Sequence, residues 1–242
     1  MNHDRVRVSV VIPTHNEAQS IGLVLADLQS VADMVTEVLV VDSNSTDGTP
    51  EIAAKMGARV LHEPRRGYGR ACLTGLANAT TPDVIVFLDG DYSDRPAELP
   101  LLLAPILEGR ADITIGSRLG KRSNRGALPW HQAFGNRLAA AMIRLLYGLK
   151  ISDLGPFRAG RADILHQLDL QETTYGWAVE IILKGALGKF RIVEVPVSYY
   201  PRIGKSKISG TLKGTVGAAW FILSLIVRYY FRRRRTGMPR PA

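Results

Sequence analysis

The feature that most limits the fold is an alternation. Five short apolar runs, at residues 6–12, 37–42, 58–61, 84–88 and 112–115, are separated by helical patterns. Those patterns lie at 18–28, from Asp47-Gly48-Thr49-Pro50 onward, at 67–79 and at 96–107. Short Val- and Ile-rich runs read as strands, and helices between them make neighbouring strands parallel. The prediction is an α/β fold: a Rossmann-like, mostly parallel, doubly wound sheet with helices on both faces. Ligands in such a sheet bind beyond the carboxyl ends of the strands.

Three of those ends carry acids. Glu17 follows the first run in Pro13-Thr14-His15-Asn16-Glu17. Asp42 closes the second, in Asp42-Ser43-Asn44-Ser45-Thr46-Asp47-Gly48-Thr49, and Asp89 closes the fourth, in Asp89-Gly90-Asp91. Converging carboxylates are costly unless a cation or hydrogen-bond donors meet them. Asp89 and Asp91 are two apart on extended chain and point the same way, and Gly90 lets a ligand approach the backbone. Two hard oxygen ligands so placed suit Mg2+ or Mn2+ held jointly with a diphosphate. A lone Asp-x-Asp is usually a solvated turn; here a buried-type strand leads into it, which favours the metal. Asp42 is placed to accept from a base or ribose, whereas Asp47 reads equally as a helix cap.

The second half is less regular. Residues 128–149 form one helical pattern with Trp130, Phe134, Leu138, Met142, Leu145 and Leu149 as an apolar stripe, for core packing or a membrane surface. A turn-rich link follows at 152–158, then a helix at 176–187 and a strand at 190–199. Arg118, Arg202, Lys205 and Lys207 lie in glycine-flanked contexts. They suit an anionic phosphate, with arginine's planar fork the better match.

In order and spacing, Val10-Val11-Ile12-Pro13 onward to Glu17, residues 41–49 and Phe87-Leu88-Asp89-Gly90-Asp91 resemble the family 2 glycosyltransferases of GT-A fold. Further along, Ile115-Gly116-Ser117-Arg118, Asn136, Asp153-Leu154-Gly155-Pro156-Phe157-Arg158, Gly176-Trp177 with Glu180, Glu194-Val195-Pro196-Val197 and residues 202–207 look like the polyprenyl- or dolichyl-phosphate sugar synthases. The likeness covers roughly residues 6–215. It implies a nucleotide-sugar pocket of Pro13, Thr14, Asn16, Glu17, Asp42, Ser43 and Asp47, with Asp89, Gly90 and Asp91 at the diphosphate and metal. Arg118, Arg202, Lys205 and Lys207 would grip the acceptor phosphate, and Asp91, Arg118 and Arg202 would carry catalysis. Ser93 stands where relatives often have glutamine beside the metal. A phosphate acceptor is already an anion and needs no strong base; Asp91 or Glu180 would serve if one were used. Direct displacement predicts inversion at the anomeric carbon, with a soluble or polysaccharide acceptor as the alternative to a lipid phosphate.

Charge is divided along the chain. The first 194 residues hold 21 basic and 22 acidic side chains, whereas residues 195–242 hold ten basic and none acidic. Residues 214–227 are uncharged, and these fourteen would extend about 21 Å as a helix, short of the roughly 30 Å hydrocarbon core. We therefore expect a catalytic domain at 1–210 and a membrane-associating helix with a basic tail at 211–242. That helix would lie at or partly in the cytoplasmic face of the membrane, anchored by Trp220, Tyr229, Tyr230 and Arg232–Arg235. A full span and simple docking on the domain are the alternatives, and Arg122 and Arg125 would adjoin the same surface. Nucleic acid is excluded as a partner, because the acids at Asp42, Asp89 and Asp91 repel its phosphates. The single cysteine, Cys72, rules out a disulfide within the chain and fits a reducing compartment, and no signal-peptide pattern opens the sequence.

Overall fold

The computed structural model describes residues 6–119, 130–204 and 212–235. Lys205 and Lys207, and also Arg122 and Arg125, lie outside the described residues. The strands are β1 (Val8–Thr14), β2 (Glu37–Asp42), β3 (Arg59–His62), β4 (Val84–Phe87), β5 (Ile113–Ser117), β6 (Arg158–Arg161) and β7 (Ile192–Pro196). They form one sheet in the order β3-β2-β1-β4-β6-β5-β7. Every pairing is parallel except those of β6, which runs antiparallel to both β4 and β5. The expected mostly parallel sheet is therefore present, interrupted by one inserted strand.

The alternation of side chains along β1, β2 and β4 divides the core. Val8, Val10, Ile12, Val40, Val84 and Val86 face a cluster closed by α1 (Ile21–Leu28) and α4 (Leu99–Leu107). Val11, Leu39, Val41, Ile85 and Phe87 face the other cluster, closed by α3 (Tyr68–Asn78) and α7 (Trp177–Leu187). This is period-two patterning of strands buried on both faces. Two further helices, α2 (Thr49–Lys55) and α6 (Ala162–Gln167), flank the sheet.

The third apolar cluster joins Ile115 and α7 to α5 (Trp130–Tyr147) and α8 (Leu212–Arg235). On α5 the buried residues are Ala139, Ala140, Ile143 and Tyr147. The stripe read from the sequence is divided: Met142 and Leu149 pack against this cluster, whereas Phe134 is 64% exposed, Leu138 41% and Leu145 83%. Core packing is therefore not the use of those three side chains.

One face of α8 docks on the domain. Leu225 and Ile226 are fully buried, the Tyr147 hydroxyl donates to the Ile226 carbonyl at 2.6 Å, and the Tyr229 hydroxyl donates to Glu180 at 2.6 Å. The Phe221 ring lies against Gly176, where a Cβ would stand only 2.6 Å from it. Trp220, Val227 and Phe231 remain exposed. At about 100° per residue their spacings of seven and eleven put them on one line opposite Leu225 and Ile226. No helix among the described residues is long and apolar enough to cross a membrane.

Candidate active site

Strand register brings the acids together. Thr14 is level with Asp42 across β1 and β2, and the amide of Leu88 donates to the carbonyl of Val11. Asp89 thus emerges beside the end of β1. What comes nearest Gly90 is protein rather than open space: Thr14 Cγ2 lies 3.0 Å from where a Cβ would sit. The small residue lets the ends of β1 and β4 close on each other.

The loops after β1 and β2 are laced into one cradle. The Asn16 amide donates to Ser45 Oγ at 2.8 Å, Thr46 N donates to Asn16 Oδ1 at 2.8 Å, and the Glu17 amide donates to Thr49 Oγ1 at 2.9 Å. Asn16 holds a positive φ of 53°, which asparagine tolerates better than most residues. Ser43 N donates to the Thr14 carbonyl at 2.9 Å. Asp42 is buried and accepts from Ser45 N at 3.0 Å and from Ser45 Oγ. Asp47 accepts from Ala18 N at 2.9 Å and from Thr49 N and Oγ1 at 3.1 and 2.6 Å. Burial pulls the Asp47 carboxyl upward, but the bonds from Thr49 and Ala18 outweigh it and hold the group below its ordinary range. Asp47 therefore ties the two loops together, close to its capping reading, although the N-cap position of α2 belongs to Gly48.

Asp91 is engaged on both oxygens. Ser93 donates to Oδ1 from its amide at 2.9 Å and from its hydroxyl at 2.6 Å, and Arg202 Nη1 lies 3.3 Å from Oδ2. Ser93 thus spends its hydroxyl on orienting Asp91. Asp89 has one oxygen, Oδ1, that is buried and accepts no hydrogen bond. Burial, then the neighbouring charge of Asp91, pushes the Asp89 carboxyl up to about 7. An orphaned oxygen next to a second carboxylate is the environment that a hard divalent cation neutralises. No group of three or more acid, His or Cys ligands occurs among the described residues, so a cation here would draw its remaining ligands from a diphosphate.

Arg202 reaches this spot because its segment pairs with the acidic loop. Tyr200 N donates to the Ser93 carbonyl at 2.9 Å and Ile203 N to the Asp91 carbonyl at 3.0 Å. A second Arg202 nitrogen, Nη2, bonds Glu17 at 3.2 Å. Opposite, Arg118 follows the end of β5 and meets the buried Asp153 through Nε and Nη2, both at 2.8 Å. Burial works against each charge, but the pairing outweighs it, raising Arg118 and lowering Asp153.

The sequence reading of Glu180 as a base is corrected. This carboxylate is fully buried, and it accepts from the amides of Gln171 and Glu172, the Tyr229 hydroxyl and Lys184. Its capacity is spent on holding α8 and the 171–172 turn.

One residue, Asp94, was missed. Asp94 is 1% exposed and neither of its oxygens has a hydrogen-bond partner. Burial, with Asp89 adding its charge, pushes its carboxyl well above the ordinary range. Arg158, also 1% exposed, is met by the carbonyls of Gly155, Pro156 and Ala178 rather than by an acid. The sequence reading names it as the last residue of the 153–158 motif, with no role of its own.

Residues 9–169 match the family described as glycosyl transferase family 2. The undecaprenyl-phosphate mannosyltransferase of Micrococcus luteus is 34% identical over 247 residues, covering 96% of this chain and 100% of that one. The dolichyl-phosphate hexose transferase of Haloferax volcanii is 36% identical over 202 residues, covering 83% and 86%. Among solved structures, glucosyl-3-phosphoglycerate synthase from Mycobacterium tuberculosis with Mg2+ and uridine diphosphate superposes with a TM-score of 0.74 at 25% identity, covering 98% of this chain and 81% of that one. The chain belongs to glycosyl transferase family 2, with the GT-A-type sheet of that class, and is a glycosyltransferase.

Proposed function

We propose that the protein transfers a hexose from a nucleotide diphosphate sugar, of the GDP-mannose or UDP-glucose type, to a polyprenyl phosphate at the membrane surface. The observation that carries this reading is the approach of Arg202 to Asp91, which sets a phosphate-binding cation against the acid that would hold the donor's diphosphate. The laced loops after β1 and β2 would hold the nucleotide, with Pro13, Thr14, Asn16, Glu17, Asp42 and Ser43 around it. Asp89 and Asp91 would hold Mg2+ or Mn2+, which would offset charge on the departing diphosphate. Arg118 and Arg202, with Lys205 and Lys207 following on the same segment, would position the acceptor phosphate. A phosphate oxygen then attacks the anomeric carbon, the bond to the diphosphate breaks with its electron pair leaving on the nucleotide, and the configuration inverts. With Oδ1 held by Ser93 and Oδ2 given to a cation, Asp91 would have no free oxygen for base catalysis, and a phosphate anion requires none.

The relatives that act on undecaprenyl and dolichyl phosphate support a lipid acceptor. So do the exposed apolar stripes on α5 and α8 and the acid-free basic end of the chain, which match an anionic surface. The likeness to a synthase crystallised with phosphoglyceric acid favours a second reading, in which the phosphate acceptor is soluble. Incubation with Mn2+, labelled GDP-mannose or UDP-glucose, and either undecaprenyl phosphate or 3-phosphoglycerate separates them. Label entering the organic phase, and failing to do so for D91A, is the expected result. Label found only in the aqueous product would replace the lipid by the soluble acceptor.

A further inference from the structure

Asp153 has no capacity left for a substrate. It is fully buried. Its Oδ2 accepts from Arg118 N and Nε, both at 2.8 Å, and its Oδ1 accepts from Arg118 Nη2, Asn136 Nδ2 and Leu154 N, all at 2.8 Å. A carboxylate offers about four lone-pair sites, so five donors saturate it. Its effect falls on Arg118. The Nε–Nη2 edge of that guanidinium is held by Asp153, and Tyr199 lies under one face with its ring centre 5.2 Å from Cζ. The edge that includes Nη1 meets no hydrogen-bond partner among the described residues and is already oriented. A mobile arginine loses rotamer entropy when it is fixed, so a guanidinium clamped beforehand binds an anion at lower cost.

The clamp also reaches α5. Asn136 lies about 200° around the helix from both Phe134 and Leu138, so its amide turns inward toward Asp153 while those two apolar side chains turn outward. One helix thus carries the outward apolar stripe and the inward group that steadies Arg118. Resting on the reading of Arg118 given above, we propose that Asp153 and Asn136 are positioning residues that present one fixed edge of Arg118 to the acceptor phosphate, so that the α5 face exposed to lipid and the phosphate-binding arginine are registered by a single helix.

The test is steady-state kinetics with undecaprenyl phosphate in detergent, Mn2+ and whichever of GDP-mannose or UDP-glucose the wild-type protein uses. N136A removes one neutral donor and D153N the charged grip, while R118A is the reference. The acceptor KM is expected to rise a few-fold in N136A and about tenfold or more in D153N, with donor KM and thermal midpoint of N136A unchanged. A merely structural role would move donor and acceptor KM together, or the midpoint alone, and would overturn the proposal. So would an acceptor KM that stays at the wild-type value in N136A while R118A raises it. If R118A itself leaves acceptor KM unchanged, the assignment of Arg118 fails first, and the positioning role falls with it.

Discussion

The guanidinium of Arg202 lies 3.3 Å from the carboxylate of Asp91. Their partnership links the two halves of the site, because Arg202 comes from the segment after β7 and Asp91 from the loop after β4. A charge-assisted hydrogen bond contributes roughly 1.5–3 kcal/mol. R202A is therefore expected to lower kcat/KM for the acceptor by about a hundredfold, with R202K between the two because it keeps the charge and loses the fork. Kinetics with acceptor varied at saturating donor check this; an effect confined to donor KM would place Arg202 on the nucleotide instead.

Chelation should silence the enzyme, and D91A should stay silent after Mn2+ is returned. The expected loss is about a thousandfold or more, from several kcal/mol of charge stabilisation. Calorimetry of uridine and guanosine diphosphates with and without Mn2+ gives the independent check: metal-dependent binding in the wild type and none in D91A.

Asp94 sets a dependence of stability on pH. Burial, followed by the charge of Asp89, raises its carboxyl in the folded protein well above the value of 3.8 taken as ordinary. The folded state then keeps a proton that the unfolded state releases. The resulting stabilisation is complete below about 3.8 and is lost as pH rises toward the folded-state value. D94N removes that loss, so its melting midpoint should exceed the wild type at pH 8 by more than at pH 5. Parallel midpoints at the two values would show that the carboxyl finds a partner in solution.

The two faces of α8 should respond differently. L225A truncates a fully buried side chain and is expected to cost about 2–5 kcal/mol in denaturant unfolding. W220A and F231A remove exposed rings and should shift stability by only about 0.5 kcal/mol or less, yet weaken cosedimentation with anionic phospholipid vesicles. Vesicle binding that survives both substitutions would leave the outward stripe without a membrane role.

Much of this was legible in the sequence where local pattern and global fold agree. The bounds of β2, Glu37–Asp42, coincide with the reading, and Asp89 and Asp91 stand at the strand end where the apolar run stops. The β6 strand was missed because Arg158-Ala159-Gly160-Arg161 has no alternation and begins with a charge; it is a strand only because β4 and β5 leave a slot between them. Asp94 and Asp153 were illegible as a pair of opposites, one without a partner and the other saturated, because that difference is made by residues far away in the chain. Glu180 shows the converse: its place in a familiar motif suggested chemistry, and tertiary contacts gave it to the docking of α8.

The third apolar cluster also has an order of assembly. Ile115, Ala139, Ile143 and Ile182 are all translated before Leu225 and Ile226, which cover them. While the chain is emerging from the ribosome, α5 and α7 show solvent an oily flank that only the later helix closes.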